Sequence, residues 1–159
     1  MELEDIYKEN YPIVYGYLLS LCGNPDEAEE LTAQTFFRAI VHFRRYDGAC
    51  KPSTWLCTIG KNLFYNECKR KKRRERFSET VPSSTEDPQQ VYIEKDEIQR
   101  LLRSAAALDP PQREVFFLRL EGLSFREIGL VMEKTENWAR VTYFRAKAKI
   151  REEMEDDDG

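Results

Sequence analysis

The sequence predicts an all-α protein of two small helical domains joined by a polar linker, and three observations carry that prediction. Apolar residues recur at helical spacing along both halves of the chain. The stretch FSETVPSSTEDPQQ, Phe77 to Gln90, is poor in apolar residues and holds two prolines, as a connector should. The segment from Leu108 to Ile150 reads as three short helices, the last amphipathic and studded with cations, which is the build of a helix-turn-helix. An N-terminal domain is therefore expected over residues 1 to 76, a linker over 77 to 92, a C-terminal domain over 93 to 154 and an acidic tail over 155 to 159.

The first helix is expected from Leu3 to Cys22, with Ile6, Val14, Tyr17, Leu18 and Leu21 on its apolar face. Gly23, Asn24 and Pro25 break it. Asp26 then caps or opens a second helix that runs to about Phe43, with Ala28, Leu31, Phe36, Ala39 and Ile40 facing a core and Glu27, Glu29, Glu30, Gln34 and Arg38 exposed. A loop from Arg44 to Pro52 leads to a third long helix capped by Ser53. Trp55, Leu56, Ile59, Leu63 and Phe64 are its burying residues, and it ends in the basic run KRKKRRER, Lys69 to Arg76.

Pro110 and Pro111 fit the first turn of a helix, where a missing N–H costs nothing, and Val115, Phe116, Leu118 and Leu120 supply its apolar side until Gly122 ends it. Ser124 with Glu127 three residues later spells a capping box for a short second helix carrying Ile128, Leu130, Val131 and Met132. Thr135 can cap the third. Ala139, Val141 or Thr142, Ala146 and Ile150 share a face there, which leaves Arg140, Arg145, Lys147 and Lys149 for solvent or phosphate. A recognition helix needs polar tips at its N-terminus, and Glu136, Asn137 and Arg140 are those tips.

Charge is unevenly placed around a net value of -4. Residues 61 to 76 hold eight basic groups against two acidic ones, and residues 99 to 151 hold eleven against six. Between them, residues 77 to 98 carry one basic group and six acidic ones. Either basic zone can contact phosphate once positioned, but the overall charge steers poorly to DNA, so a partner is expected to bring the chain there. The run from Lys69 to Arg76 is open to two readings: a solvated helix end, where cations suit the dipole, or a nucleic-acid contact. Lys61, Asn62, Tyr65 and Asn66 in the preceding turns favour the second, since exposed rings and amides can hold unpaired bases.

Cys22, Cys50, Cys57 and Cys68 have no close C-x-x-C pairing and His42 has no obvious partners, so the expectation is free thiols in a reducing cytoplasm with no metal and no cofactor. The sequence contains no signal-peptide pattern and no run long enough to cross a bilayer, so direct membrane insertion is not expected. No nucleophile, base and orienter arrangement surrounds His42, and no glycine-rich phosphate loop occurs, so catalytic residues are not expected.

Three blocks in order, YPIVYGYLL with NPDEAEELTAQTFFRA, then PSTWLCTIGKNLFYNECKRKKR, then the helix-turn-helix, resemble the extracytoplasmic-function RNA polymerase sigma factors. The resemblance spans the whole chain. It implies a non-catalytic specificity subunit that binds core RNA polymerase, recognises promoter DNA and assists its melting. Polymerase binding would fall on Asp26, Glu29, Glu30, Leu31, Gln34, Phe37 and Arg38. Asp47, Gly48, Ala49 and Cys50 would shape a pocket for an extruded base of the minus-ten element, and Lys61, Asn62, Tyr65, Asn66 and Lys69 would hold the strand. Glu136, Asn137, Trp138 and Arg140 would approach base edges of the minus-thirty-five element, with Arg126, Arg145 and Lys147 on phosphates. Trp55 is read as a buried anchor, with base stacking as its alternative. The resemblance also implies a cognate anti-sigma factor, which could hold a cytoplasmic chain near the membrane. The competing function is a stand-alone helix-turn-helix regulator of duplex DNA.

Overall fold

The structure, a computed structural model, describes residues 3–77 and 96–158, and every described element is helical. Residues 78 to 92 of the expected linker lie outside the described residues. The N-terminal unit consists of α1 (Leu3–Cys22), α2 (Pro25–Val41), one turn of 3-10 helix (Phe43–Arg45) and α3 (Pro52–Phe77). The C-terminal unit consists of α4 (Asp96–Ala106), α5 (Pro110–Leu120), α6 (Phe125–Met132) and α7 (Glu136–Asp158).

Local chemistry sets these boundaries. The Asn24 side chain accepts hydrogen bonds from the N–H groups of Asp26 and Glu27 at 2.9 and 3.1 Å, so Asn24, rather than Asp26, caps α2. Proline at the first position of α2 gives up a donor the helix does not use there. α3 opens at Pro52, which places Ser53 inside the first turn, buried, instead of at the cap. The capping box of α6 forms as the sequence spells it: the Glu127 N–H donates to Ser124 Oγ at 3.1 Å and the Ser124 N–H to Glu127 Oε2 at 2.9 Å. Thr135 Oγ1 accepts from the Trp138 N–H at 3.0 Å. Gly122 turns the chain after α5 at φ 100°, a left-handed conformation that suits glycine.

Two elements differ from expectation. α4 has no counterpart in the sequence reading, and α7 continues to Asp158 through the acidic tail. Glu and Asp fill that tail with no proline and no glycine before Gly159, so the helix meets no breaker, although its acidic end opposes the dipole.

α1, α2 and α3 pack together, and α7 is the spine on which α4, α5 and α6 rest. The two units also pack on each other, α1 against α5 and α3 against α6. Val14, Tyr17, Leu18, Leu56 and Cys57 thereby join Val115, Leu118, Leu123, Ile128 and Val131 in one continuous buried cluster. A smaller cluster of Ala105, Leu108, Phe116, Ala146 and Ile150 belongs to the C-terminal unit alone. On α7 the open choice resolves to Thr142, buried at 8 % exposure, with Val141 at 38 %.

Candidate nucleic-acid and partner interfaces

α2 presents two faces of opposite character. Ala28, Leu31, Thr32, Thr35, Phe36 and Ala39 are buried against α1 and α3, whereas Asp26, Glu29, Glu30, Gln34, Phe37 and Arg38 are exposed. Leu31 is a core residue, as its spacing predicts, sharing the inner row with Ala28 and Thr35; of the residues that the resemblance assigns to polymerase it is the one turned away from solvent. Ile40 shows the reverse. Expected in the core, it is 58 % exposed and lies with Phe37 (69 %) and Val41 (58 %) in an apolar stripe at i, i+3, i+4 spacing. Three large apolar side chains left in water on one helix, beside a row of carboxylates, form the kind of patch that another protein covers. Sequence reasoning missed Ile40 and Val41, although their spacing from Phe37 was readable.

Beyond α2 the chain folds into a tight loop. Asp47 Oδ1 accepts from the Ala49 N–H at 2.9 Å and Gly48 takes φ 79°, so the four expected pocket residues, Asp47, Gly48, Ala49 and Cys50, form one compact turn. The Tyr46 hydroxyl donates to the Cys50 carbonyl, and the Tyr46 ring stacks on Trp55 with centroids 4.9 Å apart. Asp47, Gly48 and Ala49 are exposed and Cys50 is half-buried. The neighbouring concavity, about 250 Å³, is built by other residues: Arg38, His42, Arg45, Trp55, Ile59, Asn62, Leu63 and Asn66 line it. Two cations, two amides and an indole thus converge on one groove, which suits an unstacked base and its phosphate. Trp55 is half-buried, packed on Tyr46 and against the core, while also lining this groove.

Along α3, Lys61 is half-buried while Asn62, Tyr65, Asn66 and Lys69 are exposed. Every residue from Lys69 to Arg76 is exposed, and carboxylates already hold part of the run: Lys71 Nζ lies 3.2 Å from Glu27, and Arg70 and Arg74 lie 3.7 and 3.8 Å from Glu67. Such solvated pairs are worth about 0 to 1 kcal/mol each and yield readily to a phosphate.

On α7, Glu136, Asn137 and Arg140 are exposed at the N-terminal end. The Arg140 guanidinium lies 3.4 Å from Glu136 and 5.4 Å from the Phe125 ring centroid, which orients it along the helix. Trp138 is half-buried against the shared core, with Lys134 Nζ 5.8 Å from its ring, so it is less open to a base edge than its neighbours. Arg126, Arg145 and Lys147 are exposed.

Where the two units meet, Glu114 of α5 is buried at 2 % exposure between two tyrosines of the other unit. The Tyr17 hydroxyl donates to one of its carboxylate oxygens at 2.8 Å and the Tyr65 hydroxyl to the other at 2.7 Å. Burial, then this carboxylate, pushes both phenols well above their ordinary value of 10.0. Nearby, Lys51 Nζ lies 3.2 Å from Glu127 Oε1. These contacts leave no mark in the residue pattern, because a glutamate inside an amphipathic helix reads as exposed.

A helix-turn-helix unit behind a basic, amide-lined helix defines a promoter-recognition subunit. Residues 6–74 match sigma-70 region 2 and residues 98–150 match sigma-70 region 4. The chain belongs to the extracytoplasmic-function sigma factors of RNA polymerase and is an alternative sigma factor. It is 27% identical over 154 residues to the sigma factor SigM of Bacillus subtilis, covering 95% of this chain and 94% of that one. It is 28% identical over 151 residues to the sigma factor CarQ of Myxococcus xanthus, covering 94% and 87%. Its fold superposes on the sigma factor RpoE from Bartonella quintana, solved in complex with the anti-sigma factor NepR, with a TM-score of 0.78 at 21% identity over 96% of both chains.

Proposed function

We propose a division of labour in which the N-terminal unit docks on core RNA polymerase through the exposed face of α2 and holds the melted minus-ten strand along α3, while α7 reads the minus-thirty-five element. The observation that carries this reading is the adjacency on one unit of two unlike surfaces. The apolar and acidic stripe of α2 suits a basic protein partner, and the groove lined by Arg38, Arg45, Trp55, Asn62 and Asn66 suits unpaired nucleic acid. In this reading the unpaired base enters that groove, whose lining residues do not include the Asp47 to Cys50 turn. The chain performs no covalent chemistry in this scheme: holding unpaired bases offsets part of the melting cost.

A likeness to sigma factors that include one crystallised with an anti-sigma factor supports a partner of the same kind, acting on a cytoplasmic chain. Among the described residues no helix is long and apolar enough to cross a membrane, so any placement near one would come from such a partner.

Run-off transcription with purified core polymerase tests the proposal. The full chain is expected to direct initiation from its own promoter, and a gel shift is expected to need polymerase. A strong shift by the chain alone, unchanged by polymerase, would instead identify a stand-alone regulator of duplex DNA.

A further inference from the structure

A cleft of about 480 Å³ lies between α1 and the helices α4 and α5, and none of its lining residues belongs to the interfaces assigned above. Its size falls in the range of small-molecule sites, about 300 to 1,000 Å³. Leu19, Leu102, Phe117 and Leu120 give it apolar walls. Charge is divided between its two ends. Arg103 stands in the last turn of α4 and Arg113 one turn into α5, so the short connection between these helices brings both arginines to one end. Glu121 closes α5 at the other end, about 12 Å along the helix from Arg113. Phe117 lies one turn from each, on the same face of α5.

Arg113 and Glu121 stand too far apart to satisfy each other. Arg113 Nε is buried with no hydrogen-bond partner. Burial raises the Glu121 carboxyl above its usual 4.5, and no cation among the described residues opposes the shift. Gly16 of α1 makes room for that carboxylate, because a Cβ there would strike it. A buried polar atom left unpaired costs free energy that a ligand can offset. Two arginines suit a carboxylate, a lone glutamate suits an ammonium, and Phe117 with the leucines suits an apolar body between them.

We propose that this cleft binds a short apolar peptide with free termini, its carboxylate on Arg103 and Arg113 and its ammonium on Glu121. The separation of the charges sets the length. An extended chain spans about 3.3 to 3.6 Å per residue, and the protein side chains reach in from both ends, so a peptide of about two or three residues bridges them. A single α-amino acid holds its own charges too close together to meet both ends. An apolar anion would face Glu121 with a like charge, which disfavours it.

Isothermal titration of the full-length chain with leucyl-leucine and with alanyl-leucyl-alanine tests the proposal. At least one of the two is expected to bind saturably below about 10 mM. Acetylating its amino end, or amidating its carboxyl end, should each weaken binding about tenfold, the loss of one charge-assisted contact. Variants check which end lies where. Glu121→Gln should erase the difference between free and acetylated peptide and keep the difference between free and amidated peptide. Arg103→Gln combined with Arg113→Gln should do the reverse. Each readout is a ratio within one protein, so a general loss of stability does not imitate it, and circular dichroism checks that each variant is folded. No saturable binding of either peptide by the folded parent overturns the proposal, as does equal binding of free and blocked forms. Tighter binding of decanoate, strengthened further in Glu121→Gln, would also overturn it and make the cleft a site for an apolar anion.

Discussion

Leu31 and Phe37 stand six residues apart on α2 with opposite surroundings: Leu31 is 3 % exposed in the core and Phe37 is 69 % exposed in water. The proposed polymerase contact and a folding contact can therefore be separated by mutation on one helix. Leu31→Ala is expected to cost about 2 to 5 kcal/mol of stability by cavity formation, visible as a lower melting temperature. Phe37→Ala should leave stability within about 0.5 kcal/mol and weaken core polymerase binding by more than about 1 kcal/mol in a fluorescence titration. Equal losses of stability in both variants would place Phe37 in the fold.

Arg140, held along α7 by Glu136 and the Phe125 ring, separates base reading from backbone binding. Arg140→Ala should relax discrimination at one base pair of the upstream element by about 1 to 3 kcal/mol, read from transcription across a set of single-substitution promoters. A uniform loss over the whole set would assign the side chain to phosphate.

The thiols should divide by burial. Cys57 is fully buried, and burial first, then the nearby Glu121 carboxylate, raises it from 9.0 to about 12. The native state then keeps a proton that the unfolded chain releases. This contribution to stability is whole below pH 9 and is lost as pH climbs toward 12. Cys57 is expected to stay unlabelled by a thiol reagent at pH 8 in the native protein, while Cys22, Cys50 and Cys68, all only partly buried, label slowly. Fast native labelling of Cys57, located by peptide mapping, would contradict its burial.

Legibility from sequence followed the range of the interactions involved. The bounds of α1, the capping box of Ser124 and Glu127 and the left-handed turn at Gly122 depend on residues a few positions apart, and all were readable. α4 was hidden because it emerges from the acidic stretch that marks the linker. Ile40 matched the core spacing but fell on the outer row, because α2 packs on its neighbours from one side only. Glu114 was beyond periodicity altogether, since its burial is created by tyrosines 97 and 49 residues away. The groove beside Trp55 was half legible: Asn62 and Asn66 stood out by type, whereas Arg38 reaches it from the end of α2 and His42 and Arg45 from the turn that follows, a convergence set by tertiary packing.

Strand binding along α3 gives the last prediction, and Tyr65 makes it a test with two parts. Replacing Lys61, Asn62, Tyr65 and Asn66 together by alanine should leave polymerase binding largely intact, because the exposed stripe of α2 is untouched. Open-complex formation should weaken, and a pre-melted promoter bubble should restore part of it by removing the cost of separating base pairs. Permanganate footprinting of unpaired thymines reports the opening, and a parallel binding titration reports the polymerase contact. Tyr65→Phe isolates the hydroxyl that Glu114 holds: the ring remains for stacking while the bond between the units is lost. That single change should therefore leave the footprint near the parent level, unlike the fourfold variant. Normal footprints from the folded fourfold variant would remove α3 from strand binding, and an equal loss of polymerase binding would move these four residues to the partner face.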